Sequence, residues 1–213
     1  MVHLISKDFK IQSRSVIQTL VSMIVISCLY LYLGLSIEAT FTVCCLLGVN
    51  SMVFGSIGYD EMNQSDLLLL SLPVKRKNIV MAKYVVALLF LLLSLLVATF
   101  ITAISYTVFK QSSHISPTVI MYSITMLILM LSILLPVYYL FGYKNIRYVN
   151  SAFIILVVLS FFLHMQSNVF QPVLTLIQAT SAPVLLLIEI SLCLIAYLAS
   201  MAFSFRIMEK REF

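Results

Sequence analysis

"DLLLLSLPVKRKNIVMAKY", residues 66–84, sets a run of leucines between an acidic lead and a basic cluster. The apolar part, Leu67 to Leu72, is too short to cross a bilayer, which takes about 20 apolar residues. The segments on either side of it are long enough. Read as a surface element between two spans, the stretch makes the chain polytopic, and the rest of the sequence can be laid out from it.

Composition supports that layout. The chain has 213 residues, of which 62% are hydrophobic and 10% charged, and its mean hydropathy is +1.10. Soluble domains carry about 25% charged residues. A water-soluble fold of this length could not enclose so much apolar surface. The class is integral membrane. Five glycines and five prolines leave little material for linkers, so residues 1–213 read as a single transmembrane domain. Residues 1–15 mix polar and apolar positions and do not resemble a cleavable signal.

Six apolar runs are predicted to span: 16–36, 39–59, 84–109, 117–141, 149–165 and 182–205. They are apolar all round, whereas barrel strands alternate every second residue. The expected fold class is therefore all-α, a polytopic membrane protein with six transmembrane helices. Orientation follows the basic residues. With the N-terminus inside, twelve of the thirteen Lys and Arg fall on the cytoplasmic side and only Lys110 outside. Both termini are then cytoplasmic. The net charge of +5 records topology, and no nucleic-acid partner is expected.

Several residues fit these boundaries. Pro117 and Pro183 stand near span starts, where a missing N–H costs little. Pro136 lies within the fourth span and should free the carbonyl of Ser132, producing a kink. Residues 166–181, "QSNVFQPVLTLIQATS", form an uncharged external segment, re-entrant or interfacial. Cys28, Cys44, Cys45 and Cys193 all fall in apolar runs and are expected to be buried free thiols.

Polar groups inside spans are the first candidates for function. Glu189 lies about seven residues into the sixth span, roughly 10 Å from its outer end. It either lines a substrate path or holds a proton, or else bonds a neighbouring hydroxyl. Asn50, in mid-span, either joins that path or bonds between helices. His164 sits at the outer end of the fifth span. Small residues at helical spacing (Gly48, Ser51, Gly55 and Gly58, then Ser94, Ala98 and Ser105) mark close helix approach. There is no HExxH, no GxxxxGK[ST] loop and no Cys/His metal spacing. No catalytic or metal-binding residues are assigned.

The opening stretch now falls in a cytoplasmic loop, residues 60–83. "YDEMNQSDLLLLSLP" reads as a short helix, capped by Asn63, Ser65 or Asp66 and stopped by Pro73. Its leucines must face lipid, the bundle's own end, or a groove on another protein.

The pattern of a polar lead, "LLSLPV", a basic cluster and "NIVMAKY" resembles the loop between the second and third spans of small bacterial ATP-binding-cassette permeases of the type 2 exporter group. Length, six spans and inside termini resemble that group as well. The likeness extends to members that export phenol-soluble modulins, which are amphipathic peptides, and to sibling exporters alike. The resemblance implies that Asp66, Leu67, Leu68, Leu69, Leu70, Ser71 and Leu72, closed by Pro73, form a coupling helix docked on a separate ATPase subunit. It implies that residues 1–15 form an interfacial helix and that 166–181 hold short outer helices. Relatives commonly place Ser or Thr after "LPV", where this chain has Lys75.

The implied protein is a permease subunit in the bacterial plasma membrane. It pairs with a second copy or a similar permease and exports an amphipathic peptide or lipid-like substrate. It binds no cofactor directly, and ATP acts through the partner. Two rival readings stand beside this one. The first is an intramembrane hydrolase or transferase using Glu189 and His164. The second is a non-transporting sensor or immunity subunit whose loop helix binds a regulator.

Overall fold

A computed structural model describes residues 2–32, 36–63, 76–109, 116–166 and 182–210. Among these, the chain forms helices α1 (Val2–Tyr32), α2 (Ile37–Met62), α3 (Arg76–Phe109), α4 (Pro117–Gln166) and α5 (Ala182–Lys210). No strand occurs among the described residues. The all-helical expectation is met in these elements.

Four helices among the described residues are long and apolar enough to cross a membrane: Ile37–Met62, Arg76–Ile104, Pro117–Gly142 and Ile188–Glu209. Val16–Tyr30 is a shorter apolar helix and forms the greater part of the first expected span. The fifth expected span, 149–165, falls on helical backbone whose side chains lie mostly outside the described residues. Many large apolar side chains point outward, among them Ile17, Val25, Leu96, Phe100 and Ile195. Leu96 is 70% exposed. Such a surface suits hydrocarbon and would be costly in water.

Helix ends depart from the expected boundaries in an informative way. Ser36 caps α2, its Oγ accepting the Ala39 N–H at 3.3 Å. At the other end, α2 runs on through Asp60 and Glu61 to Met62. Asn63 closes α2, its N–H donating to the Tyr59 carbonyl at 3.1 Å. It therefore ends a helix instead of starting one, correcting the reading of residues 60–63 as loop and N-cap. α3 likewise begins at Arg76, two turns before the expected start at Tyr84.

The chain divides into two compact units, residues 1–127 with 208–213, and residues 128–207. In the first, α1, α2 and α3 pack against one another in all three pairings. Their shared core includes Met23, Phe41, Cys44, Val49, Met52, Val80, Tyr84 and Phe90, each almost wholly buried. Gly48 sets the spacing. A Cβ built there would lie 2.8 Å from Ser94 Cβ on α3 and 3.3 Å from the end of Met23 on α1. Of the expected small-residue stripes, Gly48, Ser94 and Ala98 are buried, whereas Ser51 is exposed. At the start of α4, Ser116 donates through Oγ to Glu38 at 2.9 Å. Thr42 and Ser123 meet at 3.3 Å.

In the second unit, the Ser132 carbonyl is the one that Pro136 deprives of its helical donor. It accepts from Ser200 Oγ on α5 at 2.6 Å. The departure from helical backbone in α4 occurs later than expected, at Gly142, with φ 74° and ψ −179°. The cysteines are free, but Cys28 is exposed, contrary to the expectation of burial, because it faces outward from α1.

Candidate functional site

The first unit carries four charged residues at one end, drawn from three helices. Lys7 and Asp8 come from the first turns of α1, Asp60 from the last turn of α2, and Lys83 from the second turn of α3. An aspartate at a helix C-terminus faces the negative end of the dipole. Asp60 is stabilised there by outside cations. Lys7 Nζ donates to its Oδ1 at 2.7 Å, and Lys83 Nζ donates to its Oδ2. Lys83 also donates to Ser56 Oγ at 2.9 Å, one turn earlier on α2.

Asp8 closes the arrangement. Its Oδ2 lies 3.6 Å from Lys83 Nζ and its Oδ1 3.8 Å from Lys7 Nζ. Each carboxylate thus touches both ammonium groups, and the four charges alternate around a closed ring. The carboxylates are nearly sequestered, with 6% of the Asp8 side chain and 4% of Asp60 exposed, while Lys83 is 11% exposed. Lys7 is the wettest corner, at 28%. Asp8 Oδ1 is buried and accepts no hydrogen bond. Burial pushes the Asp8 carboxyl above the ordinary 3.8. Lys83 opposes the shift, Asp60 adds to it, and Lys7 opposes it.

The ring stands at the two stems of residues 64–75. Asp60 is one turn before that segment, and Lys83 is two turns after it. On the same segment's exit side, Arg76 Nη1 donates to the Met208 carbonyl at 3.3 Å. That carbonyl belongs to the last turn of α5, whose end favours a cation. Lys77 and Glu209 pair at 3.0 Å, but both are more than half exposed. Such a pair contributes little.

The expected docking residues Asp66 to Pro73 lie outside the described residues. Asn50 is buried within α2, in the first unit. Glu189 is half-buried on α5, in the second unit. His164 lies on α4, with its side chain outside the described residues. Among the described residues no group of His, Cys, Asp or Glu could hold a metal ion.

The ring is not legible in the sequence, where Lys7 and Lys83 read as topology signals and Asp60 as part of a loop helix. A signal was present in "NIVMAKYVVALL", where Lys83 is a lone cation in an apolar run. A charge so placed needs a partner.

Comparison with curated proteins gives no match, and comparison with solved structures gives none. A family model described as "ABC-2 family transporter protein" matches residues 3–209. That match covers the ring, its three helices and nearly all of the chain, which therefore belongs to the ABC-2 family of transporter membrane proteins.

Proposed function

We propose that this chain is the permease half of an exporter in the bacterial plasma membrane, and that its power comes from a separate ATPase docked on Asp66 to Pro73. Its membership of the family makes it the membrane component of an ABC transporter, and the finer reading builds on that. ATP binding closes the ATPase pair, the docked segments move together, and two permease halves (a second copy or a similar chain) open outward. The substrate is amphipathic or lipid-like, such as an amphipathic peptide of the modulin kind. The described spans offer few fixed charges to hold a polar solute, and Asn50 and Glu189 are the polar residues proposed for a substrate path.

The observation that carries the reading is the family match over residues 3–209. The ring adds support, since buried charge at both stems of residues 64–75 holds the ends of the proposed docking segment in place. A leucine-rich segment between such stems suits a groove on a partner protein.

The test is recovery of a soluble P-loop ATPase together with this chain from the membrane. Leu68→Asp combined with Leu70→Asp should leave the chain in the membrane while abolishing co-purification of that ATPase. Undiminished recovery would place the docking elsewhere.

A further inference from the structure

The ring Lys7–Asp60–Lys83–Asp8 does more than neutralise charge, because of where its members sit. Two of its corners are on the N-terminal turns of α1, and the other two flank residues 64–75 on α2 and α3. α1 is one helix of 31 residues, about 46 Å long, which exceeds the roughly 30 Å hydrocarbon core. Its first turns therefore project beyond the apolar stretch Val16–Tyr30, and they are tied back to the stems through Lys7 and Asp8.

Packing alone could hold α1 in place. Apolar residues would do so at least as well, since buried ion pairs rarely add stability over well-packed hydrophobic ones. What a ring of alternating charge supplies is a fixed pairing. α1 cannot slide or rotate relative to either stem without stranding a carboxylate that is more than nine-tenths buried. The three helix ends must move as one body or part completely.

We propose that Lys7, Asp8, Asp60 and Lys83 are positioning residues of the transport cycle, joining residues 2–15 of α1 rigidly to both stems of residues 64–75. The inference rests on the reading that an ATPase docks on that segment. Movement imposed on the segment then reaches α1 directly, and through its unbroken helix the outward-facing residues Ile17, Val21 and Val25. The joint is uneven. Lys7 and Asp60 are in hydrogen-bond contact, whereas Asp8 meets its cations only at 3.6 and 3.8 Å. Asp8 is the corner that opens first.

The ring's geometry supplies its own control. Exchanging the stem charges, Asp60→Lys with Lys83→Asp, keeps the stem pair but sets like charges against Lys7 and Asp8. Adding Lys7→Asp and Asp8→Lys inverts the whole ring and restores its alternation. Both changes keep the same number of lysines at this end of the helices, so the basic-residue bias that sets topology is preserved. The chain is placed in lipid nanodiscs, alone and with that P-loop ATPase, and amide hydrogen exchange is followed over residues 2–15, 56–63 and 76–84.

For the chain alone, the stem exchange should raise exchange in residues 2–15 at least tenfold, and the four-residue inversion should bring it back. Asp60→Asn, a milder variant, should give a smaller rise in the same segment. In the complex, ATP with vanadate should alter exchange in residues 2–15 of the wild type and of the full inversion. The stem exchange should show no such response while still binding the ATPase. Unchanged protection of residues 2–15 in the stem exchange, or a wild-type nucleotide response from it, overturns the proposal. Failure of the ATPase to bind the wild-type chain would instead sink the docking reading. The arm using the chain alone would still decide whether the ring joins α1 to the stems.

Discussion

Lys83 reaches back across the segment it follows to Asp60, 23 residues earlier, and shares that aspartate with Lys7. An acidic side chain at the wrong end of one helix and a cation buried near the start of another are each unfavourable alone. Together they hold two neighbouring stems at a set separation, with Ser56 fixing the ammonium from α2. The arrangement makes the two residues interdependent, which is measurable.

Lys83→Met should destabilise the chain by about 3–5 kcal/mol, because it leaves two buried carboxylates with only Lys7 for company. Adding Asp60→Leu should recover a large part of that loss by removing the stranded charge. Thermal unfolding in detergent, followed with a thiol-reactive dye that reaches buried Cys44 and Cys45 only on unfolding, would report both. A double variant no better than the single would show that the two side chains act independently.

The Asp8 carboxyl, raised above 3.8 by burial, binds its proton more tightly in the folded than in the unfolded chain. Its contribution to stability is therefore fullest below 3.8 and declines as pH climbs through the raised value. Lys83, Asp60 and Lys7 are the charged groups facing it. In wild type the unfolding midpoint should fall with rising pH above 3.8, and Asp8→Asn should flatten that slope. A slope retained in Asp8→Asn would assign it to another group.

Gly48→Val should cost about 1–3 kcal/mol through overpacking, since even a Cβ would press Ser94 on α3 and Met23 on α1. Ser51→Val, on an exposed position of the same helix, should cost far less. Comparing the two midpoints separates crowding from a general effect of β-branching in α2.

Ser200→Ala removes the donor on the Ser132 carbonyl and should cost about 1–2 kcal/mol. Pro136→Ala in the same background restores a backbone N–H four residues after Ser132 and should offset part of the loss. A double-mutant cycle on unfolding midpoints gives the coupling between Ser200 and Pro136. A coupling of zero would mean that the hydroxyl does not replace the missing helical bond.

The sequence made some of these features legible and hid others, for physical reasons. Apolar runs far longer than a strand can only be helices in lipid, so the class was readable. Pro136 announced the freed Ser132 carbonyl, because proline lacks an N–H whatever surrounds it. What filled that vacancy, a hydroxyl 68 residues away, depends on tertiary placement and left no local trace. The ring was hidden for the same reason. Lys7 and Lys83 fit a positive-inside reading of the sequence whether or not they touch an aspartate, and Asp60 suits a loop as well as a helix end. Gly48 was marked by its small size, but only the fold distinguished it from Ser51.

Gly142 carries a consequence of its own. Helix α4, at 50 residues, would measure about 75 Å if straight, more than twice any hydrocarbon layer it could enter. One residue prevents that rod. Its backbone angles belong to a region open essentially to glycine alone, yet nothing lies within 4 Å of where a Cβ would stand. The obstacle to replacing it is thus mirror-image preference, not crowding. A right-handed alanine would fit this corner and its natural counterpart would not, so the bend is written into chirality rather than into any neighbour.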